Sequence, residues 1–107
     1  AYELPPQSVL FRRGDEVKGV YLLLRGEAAL QVEEGRALPL AAGAVLGVRP
    51  ILDGEGASAT AMTTSPSTML FLSAGSVQRL REAVPEFDAQ LAEVARARRE
   101  QLVASAS

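Results

Sequence analysis

The chain has 107 residues, 48% of them hydrophobic, and a formal net charge of −2, with no histidine and no cysteine. That is enough for one domain with its own core. It excludes disulfides, thiolate or histidine metal sites, a cysteine nucleophile and any histidine-dependent triad, and the slight acidity argues against a surface made to coat phosphate backbone.

The opening, Ala1-Tyr2-Glu3-Leu4-Pro5-Pro6, offers neither the charged nor the apolar region of a secretion signal. No apolar run approaches the roughly 20 residues that span a bilayer, so no membrane contact and a cytoplasmic setting are expected. The chain starts without Met so close to its first strand that it is expected to be a segment of a larger protein.

Turn signals then recur at the spacing of short strands in a sandwich or barrel. Ser8 to Arg12 is apolar and is followed by the turn pair Gly14-Asp15. Val20 to Arg25 carries apolar residues on both faces, which predicts a central strand. After Gly26-Glu27, Ala28 to Glu33 alternates with Leu30 and Val32 inward. Glu34-Gly35 predicts a turn, Ala37 to Leu40 a strand, and Val45 to Gly47 a brief one. Val48-Arg49-Pro50-Ile51-Leu52 reads as one helical turn, because proline is tolerated early in a helix. A loop at Asp53-Gly54-Glu55-Gly56 leads to a last strand pair, Ala57 to Thr63 and Ser67 to Leu72.

From Ser73 the period becomes helical. Ser73 is a cap for a helix over about 74–84 with Val77, Leu80 and Ala83 on one face. Pro85 ends that helix and starts another, over about 86–103, with Phe87, Leu91, Val94 and Ala95 as its apolar stripe. Residues 104–107 are expected to fray. The fold class is mainly β, a jelly-roll barrel over about 4–72 with C-terminal helices, in one domain of residues 1–107.

Particular words in this order carry a resemblance. Ser8-Val9-Leu10-Phe11-Arg12-Arg13-Gly14-Asp15, then Val20-Tyr21-Leu22-Leu23-Leu24-Arg25-Gly26-Glu27-Ala28, then Leu46-Gly47 with Ile51-Leu52 and Ser58-Ala59-Thr60, and finally Leu70-Phe71-Leu72 are similar to the cyclic-nucleotide-binding domain family. The likeness runs from about Leu4 to Ala95. It implies a jelly roll whose phosphate-binding cassette comprises Gly47, Val48, Arg49, Ile51, Leu52, Ala57, Ser58 and Ala59. In the family a short helix faces the cyclic phosphate with its N–H groups. A Glu after the Gly accepts the ribose hydroxyl, and an Arg further on pairs with the phosphate.

The chain departs from that pattern at both grips. The Glu position is Val48, the Arg position is Ala57 or Ser58, and no Lys or Arg occurs between Arg49 and Arg79. Hydrogen bonds to charged groups contribute about 1.5–3 kcal/mol each. Losing both weakens binding by about two to four powers of ten, so cAMP or cGMP binding is expected to be weakened or lost, and no other cofactor is expected.

Other side chains have a functional and a plain reading. Gly47 to Leu52 is either an anion nest or a vestigial turn with Ile51 and Leu52 plugging the barrel. Arg49 is either a substitute anchor for a small anion or a solvated helix-start residue. Ser58 and Thr60 either donate into the cassette or simply suit a pleated strand. Arg96, Arg98 and Arg99, interleaved with Glu93 and Glu100, are either a basic cluster for nucleic acid or an acidic partner or, the plainer reading, residues placed to suit a helix C-terminus. Asp53 and Glu55 read as loop residues.

An enzyme is not expected: without His or Cys it would depend on carboxylates or on Lys18, the only lysine. Two functions remain. One is a regulatory sensor whose helices respond to a ligand; the other is a ligand-free interaction or dimerisation module. The family's transcription factors carry a helix-turn-helix after the long helix, so direct DNA binding is not expected of this segment. Ala92, Ala95 and Val103 predict a weak partner surface on the last helix, hence a monomer or weak homodimer.

Overall fold

The computed structural model describes residues 1–33 and 35–106. In chain order the elements are β1 (Tyr2–Leu4), β2 (Val9–Phe11), β3 (Gly19–Arg25), β4 (Glu27–Glu33), β5 (Arg36–Ala41), β6 (Val45–Leu46), α1 (Val48–Asp53), β7 (Thr60–Thr63), β8 (Ser67–Ser73), α2 (Ala74–Ala83) and α3 (Pro85–Ala106). The strands form two antiparallel sheets in the orders β1-β8-β3-β6 and β2-β7-β4-β5. This is a jelly roll with C-terminal helices, as expected, but the two sheets face each other without closing into a continuous barrel. Three of the four edge strands are short: β1 and β2 have 3 residues each and β6 has 2, against 6 in β5.

The main core fills the space between the sheets. Leu23, Leu46 and Met69 come from one sheet; Phe11, Ala28, Leu30, Leu40 and Ala61 come from the other. β3 lies inside its sheet, between β8 and β6, which accounts for its two apolar faces. Leu23 points between the sheets, while Val20 enters a second cluster with Val48, Val77 and Leu91. That second cluster is where the three helices meet the outer face of the sheet. Ile51 packs against both clusters.

Several expectations shift. β1 lies ahead of the predicted barrel start and pairs with β8, Tyr2 opposite Met69 and Leu4 opposite Ser67. β7 starts at Thr60 rather than Ala57, because the Ala57 backbone is used elsewhere: its N–H donates to the Asp15 carbonyl at 2.9 Å and its carbonyl accepts from the Gly14 N–H at 2.7 Å. On α2, Ser73 caps as predicted, its side chain accepting from the Ser76 N–H at 3.2 Å. Only Val77 of its predicted face is buried; Leu80 is 37% exposed and Ala83 is exposed. Phe87 and Leu91 of α3 join Val77 in the same cluster and occupy the space those side chains would take.

The α3 stripe is as predicted, with Leu91 buried and Phe87, Val94 and Ala95 packed on the second cluster. α3 runs on to Ala106, past the predicted onset of fraying. Glu34, Ser107 and the side chains of Leu102 and Val103 lie outside the described residues. Among the described residues no helix is long and apolar enough to cross a membrane.

Candidate ligand-binding site

The site begins where β6 delivers the chain to Gly47. This residue has φ +89°, and a Cβ there would lie 2.8 Å from the Gly19 carbonyl oxygen and 3.2 Å from Val17 Cγ1. Glycine is therefore needed both for the left-handed backbone and for the close approach. Gly47 caps α1, whose first bond runs from the Ile51 N–H to the Gly47 carbonyl at 3.3 Å. Pro50 sits in the first turn, where a missing N–H is tolerated, and Gly54 ends the helix with its N–H on the Pro50 carbonyl at 2.9 Å.

Gly47, Val48, Arg49 and Pro50 form one wall of a small cavity, and Ser58 and Ala59 form another. Phe11 and Leu30 reach it from the second sheet. The remaining wall belongs to α3, through Val94, Ala95 and Arg98. The space, partly open to solvent, is about 40 Å³, room for a few waters at most. Small-molecule pockets are commonly roughly 300–1,000 Å³. α3 thus lies beside the cassette and lines this small space with Val94, Ala95 and Arg98.

Five of the eight expected site residues, Gly47, Val48, Arg49, Ser58 and Ala59, line this cavity. Ile51 and Leu52 do not; they pack into the core clusters. Ala57 lies buried in the main core beside the cavity without lining it. Val48 is only 5% exposed and packs among Val20, Val77 and Leu91.

The basic residues sort differently from the sequence reading. Arg49 faces the cavity with one nitrogen 3.9 Å from Asp53. Arg96 is exposed and paired with Glu93 and Glu100, which hold its guanidinium above its ordinary value; Arg96 in turn lowers that of Glu93 through a hydrogen bond and charge attraction. Arg98, expected at the helix end, is instead half-buried at the cavity wall, since α3 runs on to Ala106 with no basic residue in its last turn, and burial lowers its guanidinium's proton affinity. Its Nε donates to the Gln101 side-chain carbonyl at 3.2 Å; among the described residues no carboxylate pairs with it. A signal for this was present in the sequence, since Arg98 follows Phe87, Leu91, Val94 and Ala95 at helical spacing. Ala95, expected both in the apolar stripe and on the weak partner surface, is turned to the cavity.

A family model described as the cyclic nucleotide-binding domain matches residues 2–83. The chain belongs to the cyclic nucleotide-binding domain family. Among solved structures, one from work on a cyclic-GMP-dependent signalling pathway that regulates bacterial phytopathogenesis is similar, with TM-score 0.79 and 23% identity over 91% of this chain and 80% of that one. The Thermus thermophilus catabolite activator protein is similar at TM-score 0.78 and 24% identity, covering 95% of this chain and 50% of that one. The Xanthomonas campestris global regulator CLP, described as responsive to c-di-GMP, gives TM-score 0.78 and 18% identity over 98% of this chain and 55% of that one. These likenesses concern the fold. No curated protein sequence matches the chain.

Proposed function

We propose that this regulatory domain holds cyclic nucleotide weakly or not at all, and that its output is the position of α3 on the jelly roll. The observation that carries the reading is Val48. It stands where the resemblance assigns the ribose-holding Glu, and it gives the cavity only an apolar surface while packing against Val20, Val77 and Leu91. The second grip is missing too: Ala57 and Ser58 bring no positive charge. The family membership supports a signalling role within a larger protein, whose effector receives the change in α3.

A second reading, a ligand-free interaction or dimerisation module, is favoured by the cavity itself. Val48, Val94 and Ala95 crowd the space a nucleotide would need. Isothermal titration with cAMP and cGMP tests both. No saturable binding below about millimolar concentration is expected. Micromolar binding of either nucleotide overturns the proposal.

A further inference from the structure

Arg98 is a half-buried guanidinium without a carboxylate partner among the described residues, set in a mostly apolar wall. A charge in that position loses hydration without a counter-ion to replace it. Two other polar side chains line the same cavity: the Ser58 hydroxyl, and Arg49, whose 3.9 Å approach to Asp53 leaves that pair loose. Positive charge and a hydroxyl therefore converge on a space of about 40 Å³. That is too small for a nucleotide and suited to one oxyanion group.

We propose that Arg98 of α3 supplies this cavity with the anion-holding guanidinium that the segment between α1 and β7 lacks, so that a phosphate-type oxyanion is gripped between Arg98, Arg49 and the Ser58 hydroxyl. This rests on the cavity being the ligand site of the regulatory reading above. The guanidinium's planar fork matches an oxyanion with two parallel donors, and its Nη1 and Nη2 groups remain for that purpose while Nε serves Gln101. The position of the charge has a regulatory consequence. In a cassette whose arginine lies on the loop, an anion binds the jelly roll alone. Here the anion is shared between the jelly roll and α3, so its arrival fastens the helix down and its departure frees it. The oxyanion can be a free phosphate or the phosphate of a cyclic nucleotide, the latter needing α3 to shift far enough to admit the rest of the nucleotide while Arg98 still reaches the phosphate.

The test is a titration of the isotope-labelled 107-residue chain with inorganic phosphate at constant ionic strength, followed by amide shifts. Saturable movement of Gly47, Ser58, Ala59 and Ala95 is expected. Arg98→Gln should weaken it about ten- to a hundredfold, while Arg96→Gln, outside the cavity, should leave it unchanged. No saturable movement in the wild type overturns the proposal. So does an equal affinity in Arg98→Gln, provided its spectrum shows a folded chain, or an equal loss in Arg96→Gln. A parallel arm uses cAMP and cGMP. Nucleotide binding that ignores Arg98 removes the α3 anchor and leaves the cassette as a site. Phosphate binding that depends on Arg98, without any nucleotide binding, keeps the anchor and removes the nucleotide as ligand.

Discussion

Arg81, in the last turn of α2, donates through Nε to Oδ1 of Asp88, in the first turn of α3, across 2.6 Å. The pair bridges the corner at Val84-Pro85, where the Val84 N–H closes α2 on the Leu80 carbonyl at 2.8 Å. Each charge also suits its helix end, the cation at a C-terminus and the anion at an N-terminus. Since α3 leaves this corner to line the cavity, the pair helps to set where Val94, Ala95 and Arg98 arrive.

Asp88→Asn keeps the shape of this bridge and removes its charge. The Arg81 side chain is 27% exposed and that of Asp88 50%, so solvent screens the attraction and the cost is held to about 0.5–1 kcal/mol. Urea unfolding should show that difference at low ionic strength and a smaller one in 1 M salt, where screening is nearly complete. An undiminished difference in high salt would mean that packing, not charge, holds the corner.

Leu91 and Leu80, on either side of this corner, should differ in how much they contribute. Leu91 is 7% exposed in the helix-facing cluster, whereas Leu80 is 37% exposed. Leu91→Ala should cost about 2–5 kcal/mol; Leu80→Ala should cost about 0.5 kcal/mol. Thermal and urea midpoints of the two variants settle the order, and a larger loss at Leu80 would contradict the packing described.

Most of the fold was legible because its signals are local. The two-faced run from Val20 to Arg25, the alternation around Leu30 and the switch to helical period at Ser73 each depend on neighbours in sequence. β1 was missed because Tyr2-Glu3-Leu4 has no pattern of its own; only its register against Met69 and Thr68 of β8 makes it a strand. The site was half legible. Gly47 to Arg49 and Ser58-Ala59 carry the family's spacing, but the polar partners of Arg98 and Arg96 do not tell the two apart. Both have acidic or amide partners three or four residues away. What separates them is which side of α3 meets the jelly roll, a tertiary fact foreshadowed only by the apolar stripe.

Tyr21 should make stability fall at alkaline pH. Its ring packs 4.9 Å from that of Phe71, centroid to centroid, and its phenol is held above the ordinary value, chiefly by burial and secondarily by Tyr2. A folded-state value raised above the unfolded one gives stability that is complete below the unfolded value, about 10. It is lost as pH rises from there through the folded value, because the unfolded chain ionises first. Tyr21→Phe should therefore flatten the decline of unfolding free energy above about pH 10. Parallel declines in the two proteins would count against a raised phenol.

Restoring both missing grips should bring cyclic nucleotide back in part, and the choice of position matters. Val48→Glu places a carboxylate among Val20, Val77 and Leu91, and without a partner this should cost about 3 kcal/mol. Burial would raise that carboxyl above its unfolded value, so the penalty should be larger at pH 7 than at pH 4. For the arginine, Ala57 is buried in the main core with its backbone committed to Gly14 and Asp15, whereas Ser58 is exposed and lines the cavity. Val48→Glu with Ser58→Arg should then give saturable cAMP or cGMP binding where the wild type has none, and Val48→Glu with Ala57→Arg should give less. The gain stays partial, because α3 must lift before a nucleotide fits into space that now measures about 40 Å³. Isothermal titration of the wild type and both double variants decides it, with circular dichroism to confirm that each is folded. Two folded variants that bind nothing would mean that α3 does not lift for a nucleotide.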